Sequence, residues 1–240
     1  MYFYLLSLLV LLPILAFSGW ASAKVNSAFS AFDKVPNRAC MTGYDTAVHL
    51  MRNRGVTDIS VNRVNGKLTD HYHPKKKQVN LSMSTFGSSS VAAVAVAAHE
   101  VGHVMQKKAG YVPYKIRSAL VPLANLGSRL ALPLVLVGIL LDFFWLSSPQ
   151  PYGQWAVYAG IALYGLSTLF TLVTLPVEYN ASRRAKSMLI RDGILTEEEL
   201  PGAKKVLSAA ALTYVASLLV SLFYFLRFAL VALSYLRRRD

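Results

Sequence analysis

The sequence predicts a membrane α-helical protein with about four transmembrane helices and a small α+β unit. Hydrophobic residues make up 54% of the 240-residue chain and charged residues 15%, and the mean hydropathy is +0.40. This composition is too apolar for an ordinary soluble domain. The excess of apolar residues is concentrated in four long segments, whereas residues 24–118 have the mixed pattern of a folded unit.

Four segments are long and apolar enough to cross a bilayer. They are residues 2–22, 130–146, 154–176 and 209–226, and the second alone contains a charged residue, Asp142. The first segment could instead be a cleaved signal peptide, because Ala21-Ser22-Ala23 resembles a cleavage site. Since it has no basic residue before its apolar run and is longer than a usual signal core, we favour an uncleaved anchor over residues 1–23.

The α+β unit begins with a helix for which Thr42 is the predicted cap and Asp45 a favourable charge in the first turn. Residues 56–64 alternate between apolar and polar side chains, which predicts a strand. Asn65-Gly66 follows, and this dipeptide predicts a hairpin with a second strand at residues 78–82.

A second helix of this unit is predicted to start at Val91, where Ser88–Ser90 offer caps, and to end near Gly110. Residues 119–176 then form a hairpin of two spans. Residues 177–208 return to the α+β unit, and residues 209–240 are the last span with a basic tail.

Within residues 177–208, Pro176 is predicted to begin a helix over 177–190. Thr196–Glu199 reads as the capping box of a short helix. Pro201-Gly202 is expected to separate this short helix from the last long one.

Residues His99-Glu100-Val101-Gly102-His103 form an HExxH pentapeptide inside the second predicted helix. Helical residues four apart share a face, so His99 and His103 can present two imidazoles to one metal ion. Glu100 lies beside the pair, where a carboxylate can take a proton from a water that the metal acidifies. An accidental HExxH usually falls on a solvated helix, but this one follows eight small apolar residues, where a partner such as a metal must satisfy buried polar groups.

A catalytic zinc ion takes three protein ligands and leaves one position open, so a third ligand is required. Glu178 is the best candidate, because Ala181, Ser182 and Ala185 share its helix face and would let that helix approach the HExxH helix closely. A plain charge at a helix N-terminus is the alternative for Glu178. The other candidates that the residues leave open are Asp45, His49, Asp70, His71 and His73.

Four separated motifs resemble, in order, those of the YugP-like bacterial membrane-bound neutral zinc metallopeptidases. They are Leu68-Thr-Asp-His-Tyr72, Ala97-Ala-His-Glu-Val-Gly-His103, Leu175-Pro-Val-Glu-Tyr-Asn-Ala-Ser182 and the stretch from Gly202 to Val215. The resemblance implies a zincin-like, gluzincin-like catalytic unit that binds one Zn²⁺ per chain. It also implies His99, His103 and Glu178 as the metal ligands and Glu100 as the catalytic residue.

The chain departs from related membrane peptidases at two positions. Relatives of the HtpX and CAAX-protease type have the spacing E-x-x-A-D, and this chain has Ser182 in place of the final Asp. A carboxylate that would orient a ligand histidine is therefore missing there, and Ser182 or another residue must replace it. His73 stands where the YugP-like pattern usually has Asp.

We therefore expect a zinc metalloendopeptidase that cleaves extended or unfolded protein segments near the membrane surface. The apolar run before His99 is too short to span a bilayer and Lys107-Lys108 follow closely, which favours a site at the surface. His71 and Tyr72 are candidates for transition-state or substrate contacts. A substrate segment would bind beside the strand at 78–82 and add to the sheet as a further β-strand.

Two alternatives come from other functional classes. A catalytically inactive membrane scaffold would keep the fold, but the intact HExxH motif and a matching Glu argue against it. A zinc carrier or sensor would use the same ligands, although it needs no carboxylate beside its first histidine. An activity that Glu100→Gln removes while zinc stays bound would exclude the scaffold. Reversible zinc loss at modest chelator concentration, with no hydrolysis of any peptide, would favour the carrier or sensor.

The net charge of +13 is distributed unevenly, with 14 of the 25 Lys and Arg between residues 24 and 117 and six between 183 and 205. The positive-inside rule then places the catalytic side in the cytoplasm of a multi-pass protein of the cell (inner) membrane, although the basic tail at 237–239 conflicts with four spans. No nucleic-acid motif is present. The expected partners are a peptide or membrane-protein substrate and the lipid bilayer; a homo-oligomer or a regulatory membrane partner stays open.

Overall fold

The computed structural model describes residues 2–144 and 152–237. Within these ranges the chain forms seven helices and a sheet of three strands. The elements in chain order are α1 Tyr2–Phe32, α2 Gly43–Arg52, β1 Ser60–Val64, β2 His71–His73, β3 Gln78–Ser82, α3 Met83–Phe86, α4 Val91–Lys108, α5 Val112–Phe144, α6 Tyr152–Arg191 and α7 Leu200–Arg237.

Helices α1, α5, α6 and α7 are long and apolar enough to cross a membrane. The spans at 2–22, 154–176 and 209–226 fall inside α1, α6 and α7, and the described part of the span at 130–146 falls inside α5, so the prediction of a membrane α-helical protein with a small α+β unit is confirmed. All four helices run beyond the predicted spans, since a helix continues past the apolar stretch wherever its next turn packs against protein. Residues 145–151, which include the end of the span at 130–146, and the basic residues 238–239 lie outside the described residues.

Two compact units make up the chain. The first contains the described parts of residues 1–18, 115–175 and 214–240, and α5 and α6 pack there through small residues. A Cβ added to Gly160 would lie 2.7 Å from the Ala131 carbonyl oxygen, and one added to Gly127 would clash with the Leu163 carbonyl. Glycine therefore lets these two helices approach at backbone distance, as is common between membrane helices.

The second unit comprises residues 19–114 and 176–213, and α4 lies at its centre. Along the Ala-rich first half of α4, from Val91 to Ala98, every residue except Val96 is buried. Both predicted caps are present, because Ser90 accepts a hydrogen bond from the Ala93 N–H and Thr42 forms a capping box with Asp45.

The sheet has the order β1-β3-β2, with β1 parallel and β2 antiparallel to β3. The predicted hairpin between residues 56–64 and 78–82 is therefore wrong. The chain after β1 does not reverse tightly at Gly66. Instead, Asp70 lies at the end of β3, where it accepts hydrogen bonds from the backbone and hydroxyl of Ser82 at 2.8 and 2.9 Å. β3 is the central strand, paired with β1 over Gln78–Ser82 and with β2 over residues 78–80, so substrate cannot add to it where both neighbours are paired, and β1 and β2 are the edge strands.

Two predicted helix boundaries are also wrong. Pro176 lies inside α6 and does not begin a new helix, and Pro201-Gly202 lie in the first turn of α7 and do not precede it. A proline inside a long apolar helix is tolerated when packing holds the flanking turns in place. The Glu199 carboxylate accepts hydrogen bonds from the Thr196 N–H and hydroxyl, at 2.8 and 3.0 Å, but residues 197–199 form a turn that leads directly into α7 and not the predicted short helix.

Replacement of Asp192 by Asn should weaken the second unit by about 1 to 2 kcal/mol. Asp192 follows α6 and accepts two hydrogen bonds from the Arg54 guanidinium, at 2.7 and 2.9 Å, and its side chain is only 8% exposed. The Arg54 hydrogen bond holds the pKa of Asp192 below its usual value, so the stabilisation is present near neutral pH. Thermal melts of wild type and Asp192→Asn should differ at pH 7 and converge as the pH falls through the pKa of Asp192.

The control for this prediction is Asp58→Asn. Asp58 forms an ion pair with Lys77 at 2.8 Å, but both side chains are more than half exposed, so its loss should leave the melt unchanged. Equal shifts in the two variants would contradict a specific role for the Arg54–Asp192 pair.

Candidate metal centre

Three ligand side chains meet inside the second unit. Helix α4 places His99 and His103 one turn apart, and α6 supplies Glu178, which is almost fully buried. The Glu178 Oε2 atom lies 3.1 Å from His99 Nε2 and 3.5 Å from His103 Nε2. Among the described residues, this is the group of His, Cys, Asp and Glu whose ligand atoms are close enough to hold a metal ion, all within 4.8 Å of one another.

The spacing of these atoms fits a zinc ion. Ligands held at 2.0 to 2.1 Å from a tetrahedral zinc ion lie about 3.3 Å from one another, which is close to the two measured separations. Two imidazoles and one carboxylate are also a donor set of catalytic zinc sites, which leave a fourth position open. The residues present therefore fit the metal.

A buried amide defines which nitrogen of His103 faces this site. Arg184 Nε, which is always a donor, lies 2.8 Å from Asn180 Oδ1, and Gln106 Nε2 donates to this same oxygen at 3.0 Å and to the Val177 carbonyl at 2.7 Å. Gln106 Oε1 must then be the acceptor for His103 Nδ1, 3.0 Å away. Nδ1 of His103 is therefore the donor in this contact, and Nε2 is the ring nitrogen that faces the Glu178 carboxylate.

This arrangement, a ring nitrogen opposite a buried carboxylate oxygen, requires a positive charge between the two atoms. Two acceptors 3.5 Å apart in a buried site repel each other unless a proton or a metal ion lies between them. Sequence reasoning missed Gln106, although one signal was available: it lies three residues after His103 on the same helix face, within the reach of side chains at that spacing.

Ser182 lies beside the other histidine. Its Oγ atom is 3.1 Å from His99 Nδ1, so a hydroxyl stands where relatives of the HtpX type have a carboxylate. An oxygen acceptor at this position favours a proton on Nδ1 and leaves Nε2 free to bind metal. A neutral hydroxyl also makes the imidazole less basic than a carboxylate would.

Glu100 is buried next to the cluster but does not join it. Burial raises the pKa of its carboxyl to about 7, while the charge of His99 and a hydrogen bond from the Tyr72 backbone act in the opposite direction. The Tyr72 contact places edge strand β2 directly beside Glu100. A carboxyl in this position can exchange protons with a group held between the metal site and β2.

The structure places the other candidate ligands elsewhere and gives each of them a different partner. Asp45 is part of the α2 capping box, and Asp70 accepts hydrogen bonds from Ser82. His49 lies near Asn53 and Asp192, and His73 accepts from the Lys76 N–H at 3.2 Å. None of these described residues belongs to the group that could hold a metal.

His71 and Tyr72, the candidates for transition-state or substrate contacts, lie on β2. Both nitrogens of His71 have partners, the Thr69 carbonyl at 2.9 Å and the Asn80 amide at 3.0 Å, so its ring supports the strand. Tyr72 packs against the core with its side chain, and burial raises its pKa to about 12. The phenol therefore stays protonated near neutral pH and remains a hydrogen-bond donor; its contact with a substrate stays a prediction.

Gly102, at the centre of the HExxH motif, is where α4 and α6 approach most closely at the site. A Cβ at this position would lie 2.6 Å from the Ala181 carbonyl oxygen, which is backbone and cannot rotate away. We expect Gly102→Ala to destabilise the second unit by about 1 to 3 kcal/mol, despite the better helix propensity of Ala, and to weaken zinc binding because Glu178 moves with α6.

This expectation is measured by thermal melting and by zinc retention against a chelator. Gly87→Ala is the matched control, because no atom lies within 4 Å of a Cβ added there and its φ of −102° suits any residue. Unchanged melting and zinc retention in Gly102→Ala would show that the two helices can separate without consequence.

Comparisons with known proteins agree with a metal centre in a membrane peptidase. The model of the family described as "Putative neutral zinc metallopeptidase" matches residues 7–233. The chain is also 40% identical to "Putative membrane protease YugP" of Bacillus subtilis (strain 168). The aligned region has 230 residues and covers 96% of this chain and 98% of that protein. No solved structure matches the chain. Since the family model and this relative each cover nearly its full length, the chain belongs to the neutral zinc metallopeptidase family of membrane proteases.

Proposed function

We propose that the chain is a zinc-dependent membrane endopeptidase in which His99, His103 and Glu178 hold one zinc ion and Glu100 is the catalytic base. The observation that carries the proposal is the convergence of two histidine Nε2 atoms on a buried Glu178 oxygen, at 3.1 and 3.5 Å. A scaffold has no need of such a costly buried group, which a cation would stabilise.

The residues divide the chemistry between them. A zinc ion held by His99, His103 and Glu178 would supply Lewis acidity toward a peptide carbonyl and toward water. Glu100 takes a proton from the attacking water and later delivers it to the leaving amine. Gln106 and Ser182 hold the two imidazoles in the orientation that presents Nε2 to the metal.

Strand β2 supports an extended substrate. β2 is an edge strand of the sheet, and Tyr72 on this strand lies beside Glu100, so an edge of the sheet runs next to the catalytic carboxylate. A peptide added along this edge would pair by main-chain hydrogen bonds, and such pairing reads the backbone more than the side chains. We therefore propose broad activity on extended or unfolded segments, with β2 replacing β3 as the docking strand.

The proposed location is the membrane surface on the cytoplasmic side of the cell membrane. The apolar run of α4 before His99 has only the eight residues from Val91 to Ala98, too few to cross a bilayer, and the helix ends in Lys107 and Lys108. Soluble or membrane-anchored segments would reach the site from the aqueous side.

The test is cleavage of unstructured peptides and an unfolded protein by the detergent-purified chain. We expect cleavage of unfolded but not of tightly folded protein, loss of cleavage after zinc is removed by a chelator, and recovery when zinc is returned. Zinc binding with no hydrolysis across a diverse peptide library would instead favour a carrier or sensor.

A further inference from the structure

A groove in the second unit combines lysines with an apolar floor. Helices α1, α6 and α7 line a volume of about 800 Å³, to which α6 contributes Tyr179, the residue that follows Glu178. Lys24 enters it from α1, and Lys204 and Lys205 enter it from α7. None of the described residues that line it is acidic, so the groove has three lysines in its lining and no carboxylate.

The rest of the lining is suited to hydrocarbon. Ala28, Ala31 and Phe32 of α1 and Ala209 and Leu212 of α7 form the apolar surface, and hydroxyls from Ser27 and Ser208 lie near the lysines. The groove thus has a cationic, hydroxyl-bearing part and an apolar part, which is the chemical division of a phospholipid molecule.

Its position along the helices matches the level of lipid headgroups. Lys24 is the first charged residue after the apolar run of α1, and its Nζ lies 4.5 Å from the ring of Trp20, which is half exposed. Lys205 is the last charged residue before the apolar run of α7, and its Nζ lies 5.8 Å from the Phe32 ring. Aromatic and lysine side chains paired at the ends of apolar helices are typical of the membrane interface.

We propose that this groove binds one anionic phospholipid, with the phosphate between Lys24, Lys204 and Lys205 and an acyl chain along Ala28, Ala31 and Leu212. The charge complementarity favours an anionic over a zwitterionic headgroup, because a zwitterionic lipid would place a second cation among three lysines. The inference does not depend on the peptidase activity, since none of these residues belongs to the metal centre.

The experiment measures binding of fluorescent phosphatidylglycerol and fluorescent phosphatidylcholine to the full chain in detergent micelles. We expect phosphatidylglycerol to bind more tightly, and the triple variant Lys24→Gln, Lys204→Gln, Lys205→Gln to bind it about 10-fold or more weakly. The corresponding triple Arg variant should retain binding, which separates loss of charge from loss of fold.

Two further variants separate a built site from general attraction. A second triple variant removes the same amount of charge from the turn between β2 and β3 and should leave lipid binding unchanged; it is Lys75→Gln, Lys76→Gln, Lys77→Gln. Ala31→Phe keeps every charge but fills the apolar floor, and it should weaken phosphatidylglycerol binding. The proposal would be overturned by equal losses in the two lysine triples or by equal binding of the two lipids. It would also be overturned if a poly-glutamate peptide displaced the lipid and the Ala31→Phe variant bound the lipid with full affinity.

Discussion

Glu100→Gln should reduce peptide hydrolysis by about 10²- to 10⁴-fold, the usual contribution of a general base. The amide has nearly the same shape as the carboxyl and can still accept the hydrogen bond from the Tyr72 backbone, so the local structure should persist. It cannot take a proton from water, however. Because Glu100 is not among the three side chains that converge on the metal position, the variant should keep its zinc.

The measurement pairs the cleavage rate of an unstructured fluorogenic peptide with zinc content per chain. Glu198→Gln is the matched control, since Glu198 lies on the surface in an exposed ion pair with Arg38. Retained hydrolysis in Glu100→Gln would remove Glu100 from the mechanism. Loss of zinc together with hydrolysis would show that its role is structural.

Much of the architecture could be predicted because it depends on local patterns. The four spans follow from apolar length alone, and the start of α4 follows from Ser90 before an apolar run. The pairing of His99 with His103 follows from helix periodicity. These features require no knowledge of which distant segments meet.

The errors share a physical cause, which is tertiary contact overriding a local signal. Asn65-Gly66 is a strong hairpin signal. In the structure Asp70 instead hydrogen-bonds to Ser82 at the end of β3, and β3 is the central strand of the sheet. Pro176 is a common helix start, but α6 continues through it. Neither the Asp70–Ser82 contact nor the continuation of α6 through Pro176 can be predicted from the neighbouring residues alone.

The prediction of Glu178 as the third ligand lies between the features that local patterns predict and the errors that tertiary contacts cause. The small residues Ala181 and Ser182 indicated that the Glu178 helix could approach α4, and the structure shows backbone contact there at Gly102. The amide of Gln106 was not predicted, because its value depends on Asn180 and Val177, which are more than 70 positions away. That Glu178 binds zinc stays a prediction.

Glu178→Gln should lose most of the bound zinc, and this loss should exceed the 10- to 100-fold weakening that is typical when only a partner of a ligand is removed. The substitution removes the negative charge that faces both histidine Nε2 atoms, at 3.1 and 3.5 Å, and an amide oxygen is a much weaker zinc ligand than a carboxylate. Zinc per chain, measured by metal mass spectrometry during titration with a competing chelator, is the readout. Glu197→Gln, an exposed surface change, is the control. If Glu178→Gln held as much zinc as this control, Glu178 would not be a ligand, and the buried carboxylate would serve only to orient the two histidines.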